Sequence, residues 1–66
     1  MKMNGRQVIQ KLLAFSDGES LVVGDMEWTS VGDRFGVPCV DGASMFVRRE
    51  DLYGYFKKEA EYDVAP

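Results

Sequence analysis

The sequence predicts an α+β domain, a small three- to four-stranded antiparallel sheet flanked by an N-terminal and a C-terminal helix, in the order α-β-β-(β)-β-α. Three observations predict it. Residues 5–15 space their apolar side chains at the helical period. From Gly18 the pattern changes to short runs rich in Val, Phe, Trp and Thr, bounded by Gly and Asp. From Glu50 the helical spacing returns. The 66 residues make one domain, because a second core would have too few residues to close. With 45% hydrophobic and 29% charged residues, the composition is that of a folding chain and not a disordered one.

The first helix opens at Asn4, whose side chain can accept from an orphan amide while Gln7 returns the bond. Val8, Ile9, Leu12 and Leu13 share one face, Phe15 closes the stretch, and Ser16-Asp17-Gly18 stops it. Turn signals then recur about every eight residues: Asp17-Gly18, Gly24-Asp25, Gly32-Asp33 and Asp41-Gly42. Between them Ser20–Val23, Met26–Val31, Phe35–Val40 and Met45–Arg48 read as strands of a meander. Alternation sets Met26 and Trp28 on one face, with Glu27 and Thr29 on the other, and groups Phe35, Val37 and Cys39. Pro38 cannot donate to a ladder, which places its strand at an edge or bulges it there.

The second helix begins at Glu50-Asp51, carries Leu52, Tyr55 and Phe56 at i, i+3, i+4, and ends near Lys57-Lys58, charges that suit the helix dipole. Gly54 within it reads as the site of a close helix–sheet approach. Residues 63–66 read as a loose, flexible tail. The expected core is Ile9, Leu12, Leu13, Leu21, Val23, Trp28, Val37, Val47, Leu52 and Phe56, with Cys39 a small buried hydrophobe.

Missing residue types exclude several functions. With no histidine there is no imidazole acid–base pair and no histidine metal ligand. The lone Cys39 forms no disulfide framework, which favours an intracellular, cytoplasmic setting, and it is one ligand where structural zinc needs about four. Asp25 and Glu27 make no evident catalytic pair. No enzyme activity, metal or cofactor is expected. The longest apolar runs, Leu12–Phe15 and Leu21–Val23, fall far short of the roughly 18 residues of a membrane span, and the first residues hold no apolar leader. No membrane association is expected either.

Charge is unevenly distributed within a net −3. Residues 1–16 carry Lys2, Arg6 and Lys11 with no acid, whereas residues 17–41 carry Asp17, Glu19, Asp25, Glu27, Asp33 and Asp41 against Arg34 alone. The plain reading of these six acids is a solvated set of turn residues. The sharper one is an anionic surface along one sheet face and its rims. Such a surface would imitate the phosphate backbone and occupy the basic groove of a nucleic-acid-binding protein. The six acids are then the partner-binding residues, acting from a monomer.

Direct nucleic-acid binding is the alternative. Arg48, Arg49, Lys57 and Lys58 interleave with Phe46, Tyr53, Tyr55 and Phe56, a mixture suited to phosphate contact and stacking. Gly36-Val37-Pro38-Cys39-Val40-Asp41-Gly42 followed by Phe46-Val47-Arg48-Arg49-Glu50-Asp51-Leu52 resembles the wing and final helix of small excisionase-type DNA-binding proteins. Residues 20–31, however, read as strand where that family needs a recognition helix. With a pI near 4.7 as well, no direct nucleic-acid contact is expected.

As a whole, the short histidine-free chain with an acidic, turn-rich sheet between two helices resembles the small anti-CRISPR proteins of phages and mobile elements, especially those directed at type I, Cascade-type systems. The likeness is one of size, charge and architecture, without a motif. It implies an inhibitor in the host bacterial cytoplasm that binds the surveillance complex and blocks target-DNA or PAM recognition. The six acids are nominated from charge and not from any family motif.

Overall fold

The capping box forms as its residues require. In the computed structural model, which describes residues 1–65, Asn4 Oδ1 accepts from Gln7 N at 2.8 Å and Gln7 Oε1 accepts from Asn4 N at 2.9 Å. Helix α1 spans Gly5–Leu13 and buries Val8, Ile9 and Leu12. Leu13 lies on the outer side of the last turn, 40% exposed, and is not part of the core.

Six strands, β1 (Lys2–Asn4), β2 (Ser20–Val23), β3 (Met26–Val31), β4 (Arg34–Pro38), β5 (Ser44–Arg48) and β6 (Glu61–Ala65), build one antiparallel sheet in the order β1-β6-β2-β3-β4-β5. This is an α+β arrangement, but with more strands than the expected three or four. β2 and β3 have the expected bounds. The β2–β3 and β3–β4 turns put Gly24 and Gly32 first, at φ 65° and 63°, each followed by an Asp with no positive φ. That is the II′ pattern, whose twist matches the strands it joins.

β4 stops at Pro38, two residues before the expected end. Its pairing with β3 runs only to Gly36, so Pro38 lies past its last β3 partner, opposite Ser44 of β5. The missing N–H thus costs no bond to β3, and β4 is an interior strand, not an edge.

The C-terminal third departs most from expectation. Arg49–Gly54 is a 3₁₀ helix, not the start of an α-helix running to Lys58. The i, i+3, i+4 spacing of Leu52, Tyr55 and Phe56 holds for one turn only, where Tyr55 N and Phe56 N both donate to Leu52 O (3.0 and 3.1 Å). The chain then turns into β6, so residues 63–65 are paired strand and not a tail, while Pro66 lies outside the described residues. Asp63 O accepts from Gly24 N and Val64 N donates to Met1 O, both at 2.7 Å.

The core lies between the inner sheet face and the two helices. Leu21, Val23, Trp28, Phe35, Val37, Val47 and Val64 from the strands meet Val8, Ile9, Leu12, Leu52 and Phe56. Trp28 is its aromatic centre, with ring centroids of Phe56, Tyr55 and Phe35 at 4.8, 5.8 and 6.5 Å. Cys39 follows Pro38 out of the sheet and is only half-buried.

Backbone meets backbone at the start of α1. Gly5 N donates to Ala60 O at 2.9 Å and Arg6 N to Lys58 O at 3.2 Å, so the 57–60 turn satisfies two orphan amides of the helix. A Cβ on Gly5 would stand 1.9 Å from the Lys57 carbonyl oxygen, whereas nothing lies within 4 Å of one on Gly54. The close approach read at Gly54 belongs instead to Gly5. Gly5→Ala should therefore destabilise the fold by about 1–3 kcal/mol or more through overpacking. Gly54→Ala should be neutral or stabilising by up to about 1 kcal/mol. Urea unfolding of the two variants measures the contrast, and equal midpoints would contradict it.

Candidate functional site

Strand direction decides where the acids go. β2 and β4 run opposite to β3, so the Gly24-Asp25 and Gly32-Asp33 turns lie at opposite ends of the sheet. Asp17 and Glu19 join Asp33: Asp17 Oδ1 accepts from Gly32 N at 2.7 Å, and Glu19 O accepts from Ser30 N at 2.9 Å. Glu27, near the start of β3, and Asp41, in the β4–β5 loop, lie at the end of Asp25. The six nominated carboxylates therefore do not gather along one face. They divide into Asp17, Glu19 and Asp33 at one end and Asp25, Glu27 and Asp41 at the other.

The two ends differ in what surrounds the acids. At the first, Arg34 and Arg48 are directly opposed across β4 and β5, and Asp33 O accepts from Arg49 N at 3.1 Å. Asp33 Oδ1 lies 3.6 Å from Arg34 Nε. Glu19 Oε1 accepts from Ser16 N at 2.6 Å, so it and Asp17 serve their own loop. Cations match this end.

At the second end Asp41 Oδ1 accepts from Ala43 N at 3.0 Å, while Asp25 and Glu27 make no ion pair among the described residues. No Lys or Arg occurs in residues 12–33 or 35–47, which supply the whole of this rim from β2 to β5. Two cations lie beside this rim near β1: the Met1 terminal ammonium, which donates to Val64 O at 3.3 Å, and Lys2, which Asp63 holds at 2.9 Å. That hydrogen bond and charge hold the Lys2 ammonium above its usual range and the Asp63 carboxyl below its own. Asp25, Glu27 and Asp41 thus form an acidic rim with no ion pair of their own among the described residues, beside the fully exposed Val40.

The basic and aromatic cluster of residues 46–58 disperses. Phe56 is buried, Tyr55 packs on Trp28, and Lys57 N donates to Tyr62 Oη at 2.9 Å. Lys58 and Tyr53 line a shallow groove of about 260 Å³ with Arg6, Ile9 and Gln10, where Arg6 pairs with Glu59 at 3.1 Å. Arg49 turns inward. Its Nε donates to Gly32 O (3.1 Å), Nη1 to Leu13 O (3.2 Å), and Nη2 to Phe15 O (3.0 Å) and to Ser30 Oγ. The guanidinium also stacks 4.9 Å from the Phe35 ring centroid. A parity count would have found this: Val47 points inward, so residue 48 faces out and residue 49 returns toward the core.

The winged resemblance does not extend to the fold. α1 is the only α-helix among the described residues; it buries its apolar face, and the 57–60 turn caps its first amides. No group of three or more His, Cys, Asp or Glu able to hold a metal occurs among the described residues, and none of their helices is long and apolar enough to cross a membrane. No family model, curated protein or solved structure matches the chain.

Arg49→Ala should cost about 2–4 kcal/mol, because it leaves buried Ser30 Oγ without its donor and removes three hydrogen bonds to carbonyls and the contact with Phe35. Arg49→Lys should recover only part of this, since one ammonium does not reproduce a planar fork. Arg48→Ala, on the exposed face, should stay within about 0.5 kcal/mol. Comparable losses at 48 and 49 in urea unfolding would refute the assignment.

Proposed function

We propose that this protein is a binding inhibitor: its acidic rim docks on a cationic, nucleic-acid-binding surface and competes with the nucleic acid. A type I CRISPR surveillance complex is the proposed target, and recognition of target DNA or its PAM is the proposed blocked step. One observation carries the reading. Asp25, Glu27 and Asp41 share one end of the sheet with no basic residue from β2 to β5 to neutralise them. Carboxylates fixed on a rigid rim can replace phosphates at Lys and Arg side chains without paying for the ordering of a flexible strand.

Val40 supports the same rim, adding an apolar contact inside a charged border. Asp17, Glu19 and Asp33 fall outside the proposed contact, since Arg34 and Arg48 share their end of the sheet. The likeness to small anti-CRISPR proteins rests on size and charge, since the expected sheet between two helices gives way to a six-stranded sheet, and it supplies the choice of target.

The test measures target-DNA binding by a purified type I complex with and without the protein. The triple variant Asp25→Asn, Glu27→Gln, Asp41→Asn should lose inhibition while keeping its fold, because the amide side chain introduced at position 41 retains an oxygen for the Ala43 N–H. The matching triple at the other end, Asp17→Asn, Glu19→Gln, Asp33→Asn, should inhibit like the wild type. Association should slow as salt rises, since screening shortens the field to about 10 Å at 0.1 M. Undiminished DNA binding in the presence of the protein, or full inhibition by the first triple, would end this reading.

A further inference from the structure

The sheet face opposite the core carries a second surface that shares no residue with the acidic rim. Alternation along β4 and β5 sends Arg34, Gly36, Phe46 and Arg48 outward, while Phe35, Val37 and Val47 fill the core. In register, Arg34 opposes Arg48 and Gly36 opposes Phe46. Gly36 offers no side chain, and the Phe46 ring covers the gap: Phe46 Cε1 is 3.5 Å from where a Cβ on Gly36 would stand. The ring rests across β4 yet stays 59% exposed, so it offers a flat aromatic surface to solvent. β5 is an edge strand, which leaves this platform open along one side.

The two arginines beside it are poorly satisfied. Like charges directly opposed across a sheet repel. Each leans on an acid near it in sequence, Arg34 on Asp33 at 3.6 Å and Arg48 on Glu50 at 3.5 Å, distances at or beyond the limit of a hydrogen bond. Both forks keep free donors for an anion. In the same cross-strand row as Gly36 and Phe46, Ser20 Oγ and Thr29 Oγ1 lie 2.8 Å apart and add hydroxyl groups to the platform.

A flat exposed ring beside two guanidinium groups, each with donors left over from its neighbouring acid, matches an unpaired base with its neighbouring phosphates. We propose that this outer face binds single-stranded nucleic acid, a base stacking on Phe46 while adjacent phosphates take Arg34 and Arg48. A duplex does not fit, because its bases are already stacked on each other. Asp33 and Glu50 stand beside Arg34 and Arg48 but engage one nitrogen of each, and Asp25, Glu27 and Asp41 lie at the far end of the strands.

Fluorescence anisotropy of labelled oligo(dT) and oligo(rU) of about ten nucleotides, titrated with the full chain at about 50 mM salt, provides the test. Saturable binding of either oligonucleotide is expected, and the tighter of the two identifies the natural strand. Phe46→Ala should weaken it about tenfold or more, and Phe46→Leu, which keeps apolar cover over Gly36, nearly as much. Arg34→Gln and Arg48→Gln should each weaken binding and lower the slope of log K against log salt by about 0.7. Neutralising Asp25, Glu27 and Asp41 should leave it at wild-type strength or above, which separates this surface from the acidic rim. Absence of saturable binding by both oligonucleotides, or wild-type affinity in Phe46→Leu, would overturn the proposal.

Discussion

The Arg49 guanidinium holds together three parts of the chain that are distant in sequence. It reaches the carbonyls of Leu13, the last residue of α1, and of Phe15 just after it, the Gly32 carbonyl in the β3–β4 turn, and buried Ser30 on β3. A cation there also meets the negative end of the helix dipole. Its planar fork suits this task, because separate donors point at separate acceptors in one fixed geometry. The aromatic face of Phe35 beneath it restricts the remaining motion. A single half-buried charge thus supplies part of the cross-linking that a disulfide provides in other small domains.

The opposite end of α1 is secured differently. There the 57–60 turn offers carbonyls to the first helical amides, which requires a residue without a side chain at position 5. With both ends tied, Val8, Ile9 and Leu12 are presented to the sheet along a line that Trp28 and its aromatic neighbours complete. The helix covers the inner face only. The outer face of β4 and β5 stays open, and the two ends of the meander carry the turns.

The same partition separates the two proposed contacts. Acidic side chains stand at both ends because hairpin turns favour Gly and Asp, and those at the Asp25 end meet no arginine or lysine from β2 to β5. Arginines collect toward the other end because residues 34 and 48 are partners in one antiparallel register. A partner with both a cationic protein surface and an exposed strand would meet each of them. The two surfaces use different residues and respond to salt through different charges, so each stands or falls by itself.

Local features were legible before any tertiary contact was considered. Asn4 and Gln7 specify the helix start, Gly24-Asp25 and Gly32-Asp33 specify hairpins, and alternation places Trp28, Val37 and Val47 inward, because each depends on neighbours within a few residues. Lys2–Asn4 is too short to declare itself as a strand, and Glu61–Ala65, although Tyr62 and Val64 alternate with Glu61 and Asp63, reads locally as part of a tail. They exist because β6 inserts between β1 and β2, joining the two ends of the chain in a pairing that no local pattern encodes. The helical spacing after Glu50 was overridden likewise, once Tyr55 and Phe56 found Trp28 and the chain had to turn back toward β6. The inventory of acids belongs to the sequence; their division between two ends of the sheet, and the inward turn of Arg49 beside the outward Arg48, belong to the direction and pleat of paired strands, which only the assembled sheet defines.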